Sequence, residues 1–170
     1  FIEGPVLAPD EAEAFYQPTI SAEVGSLYEH CVRALDASLA IGRHGAPLIG
    51  GGDWNDGMNR VGAGGEGESV WLGWLMCVTL DDFAKIADQR DDKEHAEAWR
   101  AHAAALKAAL ERTAWDGHWY RRGWFDDGSP LGSASSEECR IDSLSQSWAV
   151  LSGAAPLERA TQAMAAVERE

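Results

Sequence analysis

Two aspartates, Asp53 and Asp56, enclose a tryptophan and an asparagine in the stretch Pro47-Leu-Ile-Gly-Gly-Gly-Asp-Trp-Asn-Asp56-Gly-Met-Asn-Arg-Val61. A short apolar run leads into three consecutive glycines, and ten of the chain's 18 glycines fall between Gly42 and Gly67. Glycine frees the backbone to turn and to approach a ligand closely, and a loop this long inside a compact domain is usually functional. The residue types suit a sugar. The face of Trp54 stacks on the apolar face of a pyranose, while Asp53, Asn55 and Asp56 offer hydrogen-bonding partners to its hydroxyls. An aspartate beside a large aromatic can also have its acid form favoured by loss of water, as a general acid requires. The same Asp-x-x-Asp-Gly pattern describes an ordinary turn or a calcium loop, although the twelve-residue EF-hand spacing fails.

Helices must carry this loop. Residues 1–20 read as an extended lead-in punctuated by Pro5, Pro9 and Pro18, each of which removes an amide donor. Ser21 is a candidate cap for a helix to about Ile41, with Val24, Leu27, Cys31, Leu35 and Leu39 on one face. After the Gly42–Gly67 loop, the spacing predicts a second helix from about Glu68 to Gln89 and a third from about Asp92 to Thr113. Asp91 and Glu94 resemble a capping box. Residues 115–132 alternate aromatic and polar side chains between Asp-Gly turns, which predicts a short β-hairpin or structured loop. Ser143 and Gln146 can cap a helix to about Ser152, and Pro156 opens a last one through Ala160, Met164 and Val167. The fold class is therefore all-α with long loops and a short hairpin.

Composition excludes several functions. Eight tryptophans and 45% hydrophobic residues oppose disorder. A net charge of −14 opposes binding to nucleic acid through a basic surface. The longest nearly apolar stretch, Val70–Leu80, is too short to cross a bilayer. Cys31, Cys77 and Cys139 lack ligand spacing, which argues against a disulfide framework or a structural metal and fits a reducing compartment.

Three ordered motifs, Gly50-Gly-Gly-Asp-Trp-Asn-Asp-Gly-Met-Asn, Gly67-Glu-Ser-Val-Trp-Leu and Gln146-Ser-Trp-Ala-Val-Leu-Ser-Gly, resemble glycoside hydrolase family 94. This family includes cellobiose and chitobiose phosphorylases, and the likeness is greatest to the phosphorylase-like region of cyclic β-1,2-glucan synthases. The resemblance covers nearly the whole chain. It implies an (α/α)6 toroid with its active site in loops at one end, of which residues 1–170 would be a part. It also implies inverting phosphorolysis of a β-glucoside, with inorganic phosphate as co-substrate and no cofactor. Asp56 takes the place of the family's general acid and Trp54 lines the sugar site. Asp53 would be a hydroxyl ligand or a structural anchor. The family places sugar-contacting charged residues near Glu138 and Arg140, where a solvated charge run is the alternative.

Gln146 would either reach the site or cap Ser143. Glu66 and Glu68 read as acids favouring a helix start. Trp71, Trp74 and Trp99 read as core, Trp119 as hairpin packing, and His30, His95 and His102 as helix residues without paired partners. The family's upstream sugar-holding Arg and Asp and its downstream phosphate loops have no match here, so the isolated segment is expected to be inactive and prone to self-association. The resemblance further implies a cytoplasmic part of a larger, inner-membrane-associated bacterial protein that acts on β-glucan. The alternative is a noncatalytic glucan-binding or scaffolding module. An inverting hydrolase would need a second carboxylate about 6.5–9.5 Å from Asp56.

Overall fold

A computed structural model describes residues 1–8, 11 and 14–170, so the expectation for Pro9 lies outside the described residues. The chain forms two compact units, Phe1–Ser38 and Leu39–Glu170.

In the first unit, strands β1 (Ile2–Glu3) and β2 (Thr19–Ile20) pair antiparallel within the stretch expected to be an extended lead-in. Helix α1 spans Leu27–Ala37, five residues later than a Ser21 cap would start it. Its cap is Ser26, in a capping box with Glu29: the Ser26 hydroxyl accepts from Glu29 N–H at 3.2 Å, and the Glu29 carboxylate accepts from Ser26 N–H at 3.3 Å. Two orphan amides satisfied reciprocally outweigh the extra apolar positions upstream. Ser21 instead accepts from Glu23 N–H at 3.1 Å, and Val24 and Leu27 are exposed. His30 is also partnered, stacking on Phe1 with ring centroids 3.9 Å apart.

The second unit is mostly helical with a small antiparallel sheet, the content that part of an (α/α)6 toroid implies. Helices α2 (Val70–Gln89) and α3 (Lys93–Thr113) pack on each other as an antiparallel-type hairpin. Asp91, in the left-handed region at φ 59°, turns the chain between them. The α3 cap is Asp92 rather than Asp91: its carboxylate accepts from His95 N–H at 3.3 Å and pairs with the His95 ring at 2.8 Å, so His95 is partnered too. Helices α4 (Ser143–Leu151) and α5 (Leu157–Arg169) follow. The buried stripe of α5 is Ala160, Ala163 and Ala166, while Met164 is partly exposed.

The sheet has three strands in the order β3 (Glu68–Ser69), β4 (Gly123–Trp124), β5 (Pro130–Leu131). The expected hairpin is present as β4–β5, with Gly123 opposite Leu131. Residues 68–69, expected in the second helix, are instead its third strand, with Glu68 opposite Trp124. Pro47–Ile49 runs alongside this strand: the Pro47 carbonyl accepts from Ser69 N–H at 2.9 Å and Ile49 N–H donates to the Gly67 carbonyl at 2.8 Å. The glycine-rich loop thus leaves and re-enters the fold at one place. A side chain at Gly67 would press its Cβ to 2.4 Å from the Val61 carbonyl oxygen, so the stem closes only on glycine.

Beneath the sheet lies an aromatic core. Trp74 of α2 meets Tyr120 edge-on at 5.0 Å, and Tyr120 meets Trp115 at 4.9 Å. Trp71, Trp74 and Trp99 are buried, in line with the core reading, and so are Trp119 and Trp124. Cys77 is buried among them, and desolvation pushes its thiol up to about 12.

Two buried or anchored carboxylates shape the loop's exits. Glu68 is not a solvent-facing acid at a helix start. It is 1% exposed and accepts from His44 N–H and Ala46 N–H, both at 3.0 Å, as well as pairing with the His44 ring. That ring stacks on Trp124 at 4.2 Å. Asp126 accepts from the N–H groups of Gly64, Glu66 and Gly67 at 2.7, 2.8 and 2.9 Å. These amides hold its carboxyl below the usual carboxylate range.

Two outcomes are expected. Trp74→Ala should cost about 3–5 kcal/mol in urea unfolding, because it empties the contact between α2 and the hairpin, whereas Leu157→Ala, at an exposed site, should stay within about 0.5 kcal/mol. A lowered folded pKa at Asp126 means its contribution is present above the unfolded value of about 3.9 and is lost as pH falls through the folded one. Amide exchange should therefore show Gly64, Glu66 and Gly67 protected at pH 5 and released together only on acidification beyond the ordinary carboxylate value of about 3.9. Asp126→Asn should weaken that protection already at pH 5.

Candidate functional site

The Asp53–Asp56 motif lies where the glycine-rich loop passes the N-terminus of α2. Gly52, at φ 134°, makes the turn into it in a region that side chains disfavour. A single 3₁₀ turn, Asp56–Met58, follows, capped by Asn55, whose side-chain oxygen accepts from Gly57 N–H at 3.0 Å. Asn55 N–H in turn donates to Asp53 at 3.2 Å.

The two aspartates have opposite surroundings. Asp53 has no exposed side-chain surface; one of its oxygens receives Arg122 Nη2 at 2.5 Å and the Ser69 hydroxyl at 2.7 Å. Its geometry is that of the structural anchor rather than of a group open to a sugar hydroxyl. Asp56, by contrast, is exposed at the head of the 3₁₀ turn, and Trp54 is 61% exposed.

Arg122 is the residue that sequence reasoning missed. Only 2% of its side chain is exposed, and its guanidinium reaches four groups. Nη1 donates to the Ser69 hydroxyl at 3.0 Å, Nη2 to Asp53 and to Met58 Sδ at 3.1 Å, and Nε lies 3.4 Å from Asp142. Ser69 caps α2 by accepting from Leu72 N–H, and Asp142, rather than Ser143, caps α4 by accepting from Leu144 N–H at 2.7 Å. One buried cation therefore joins the loop, two helix starts and the hairpin. A signal was present: Arg122 stands midway between Tyr120 and Trp124 in an alternating stretch, immediately before β4, where every second side chain shares a face.

A cleft of about 470 Å³ opens beside this network, lined by Trp54, Asn55, Arg122, Asp142, Ser143, Leu144 and Ser147. Asp56 is next to Asn55 in the chain but is not part of that lining. A smaller recess of about 170 Å³ lies on the other side of Arg122, against Met58, Cys139 and Ile141.

The remaining candidates lie elsewhere. Gln146 is fully buried. Its oxygen accepts from Tyr120 N–H at 2.8 Å, and its amide donates to the Tyr120 and Asp142 carbonyls at 2.7 and 2.9 Å. It neither faces the cleft nor caps Ser143, but fastens α4 to the hairpin. Arg140 pairs with Glu170 at 3.5 Å, and its carbonyl accepts from Trp119 Nε1 at 3.0 Å. Glu138 is exposed, and neither it nor Arg140 lines the cleft. Among the described residues no group of three or more His, Cys, Asp or Glu side chains is placed to hold a metal ion.

The chain is similar to known carbohydrate-active proteins over most of its length. It is 54% identical to the cyclic β-(1,2)-glucan synthase NdvB of Rhizobium meliloti over the whole chain, which is 6% of that protein. It is 38% identical to the 3-O-β-D-glucopyranosyl-β-D-glucuronide phosphorylase of Paenibacillus borealis over 87% of the chain and 19% of that enzyme. It is 34% identical to the N,N′-diacetylchitobiose phosphorylase of Vibrio furnissii over 84% of the chain and 18% of that enzyme. It thus spans less than a fifth of each of these relatives. The family model for the catalytic domain of the glycosyl hydrolase 94 superfamily matches residues 11–170, and the chain belongs to that family.

Proposed function

We propose that this chain supplies the general acid and part of the sugar wall of an inverting β-glucoside phosphorolysis, within a larger cyclic β-1,2-glucan synthase-like protein. The observation that carries this reading is the contrast between the two aspartates. The backbone of the motif is tied down through buried Asp53, while Trp54 and Asp56 are left exposed on it. A pyranose stacked on Trp54 would have its glycosidic oxygen within the neighbourhood of Asp56 and would exclude water from that carboxyl. Phosphate would attack the anomeric carbon while Asp56 gives its proton to the departing oxygen, so no second catalytic carboxylate is required. The names of the phosphorylases to which the chain is similar support a glycoside and phosphate as the substrates.

The segment would lie in the cytoplasm as part of that larger bacterial protein. None of the helices among the described residues is long and apolar enough to cross a membrane. Val150, Leu151 and Leu157 are exposed on α4 and at the head of α5, which supports self-association of the isolated segment.

A noncatalytic glucan-binding module is the second reading. It is favoured by the cleft's lining, in which the one cation, Arg122, is already held by two aspartates. In the full-length protein, Asp56→Asn should lower phosphate-dependent release of glucose 1-phosphate from a β-1,2-glucan by about 10²-fold or more while leaving glucan binding intact. Undiminished release would overturn the role of Asp56. Binding by the unmodified protein with no phosphorolysis at any phosphate concentration would establish the module.

A further inference from the structure

Asp53 and Met58 bracket the exposed part of the motif, three residues before Asp56 and two after it. Both ends meet the same atom: Arg122 Nη2 donates to the Asp53 carboxylate at 2.5 Å and to Met58 Sδ at 3.1 Å. The intervening Trp54, Asn55, Asp56 and Gly57 are all exposed, with little packing of their own to hold them. The guanidinium is itself fixed from behind, by Ser69 at the start of α2 and Asp142 at the start of α4. A planar guanidinium can meet all of these partners at once, which the single ammonium of a lysine cannot.

We infer that Arg122 is the positioning residue of this site, acting through Asp53 and Met58 to hold Trp54 and Asp56 at a fixed place beside the cleft. Its effect on turnover rests on the reading of Asp56 as the acid; its effect on the order of the loop does not. An acid held by a clamped loop meets the glycosidic oxygen in one geometry. When the clamp is released, the same carboxyl samples many geometries, and a displacement of about 1 Å can cost on the order of 10²-fold in rate.

The test uses the full-length protein labelled with 5-fluorotryptophan, the Trp54 ¹⁹F resonance being assigned by its loss in Trp54→Phe. Arg122→Met should broaden or split that resonance and lower kcat by about 10- to 100-fold, with KM for the glucan changing by about twofold at most. Arg122→Lys should restore part of both, because it can meet Asp53 but not every partner. Met58→Leu keeps the bulk at the loop's far end and removes one hydrogen bond. It should disturb the Trp54 signal and lower kcat by about fivefold, and it serves where Arg122→Met fails to fold. An unchanged Trp54 resonance together with unchanged kcat in Arg122→Lys and Met58→Leu would overturn the inference. A Trp54 signal that responds to Arg122, in a protein whose Asp56→Asn variant is fully active, would instead leave the clamp standing and remove the acid.

Discussion

An arginine and an aspartate taken out of water cost several kcal/mol each, and their mutual attraction offsets that cost only when hydrogen bonds satisfy what remains of both groups. The Asp53–Arg122 pair meets this condition at Asp53 and at both Nη atoms of Arg122, while Nε, 3.4 Å from Asp142, makes no hydrogen bond. Asp53 also receives Ser69 and Asn55, and Arg122 also reaches Ser69, Met58 and Asp142. The partners come from four stretches of chain far apart in sequence: the loop at 53–58, the start of α2, the hairpin and the start of α4. Removing any one of these elements leaves a buried charge short of partners, so the ion pair favours the arrangement in which all of them meet. Hydrophobic contacts such as Trp74 against Tyr120 hold the helices to the hairpin, but they would tolerate small slips. The guanidinium, with its fixed directions, would not.

The acidic composition has a similar internal logic. Residues that look like solvated charge in the sequence act as organisers of turns. Glu68 gathers the amides of His44 and Ala46, and Asp126 those of Gly64, Glu66 and Gly67. Asp116 takes Ala134 N–H, the Ser133 hydroxyl and Arg121. Glycine-rich segments have few side chains with which to build contacts, so their backbone amides must find acceptors elsewhere. A carboxylate from a distant strand or turn supplies two or three acceptors at one point. The loop between Gly42 and Gly67 is thereby fastened at both ends by acids outside its tip, and only the motif between them is left to Arg122.

How much of this was legible in the sequence differs by element. The cores of α2 and α3 follow from apolar residues at three- and four-residue spacing, a signal that packing reinforces. The starts of α3 and α4 were displaced by one residue because adjacent Asp or Ser residues are chemically equal as caps. Further partners break the tie: Asp92 also holds the His95 ring one turn on, and Asp142 also faces Arg122. Strand β3 was hidden because a two-residue strand has no periodicity and sits directly before a helix. The glycine-rich loop around the motif was legible, and Trp54 and Asp56 stand exposed on it. The roles of Asp53 and Gln146 were not, because a buried polar side chain is recognised only through its partner. Those partners, Arg122 and the Tyr120 backbone, are 69 and 26 residues away.

The separation of duties within Asp53–Asp56 has a consequence for both functional readings. A sugar-binding platform and a general acid need the same thing of the chain, an exposed aromatic and an exposed carboxyl that do not wander. Rigid placement normally comes from packing, and packing would bury the very groups that must meet the ligand. Here the backbone is held from beneath by a neighbouring carboxylate and a thioether, leaving Trp54 and Asp56 uncommitted to the core. The arrangement lets ligand contacts and fold contacts fall on different residues of one short segment. On either reading, substitution at Trp54 or Asp56 would bear on a ligand with little effect on the fold, and substitution at Asp53 would act by way of the fold.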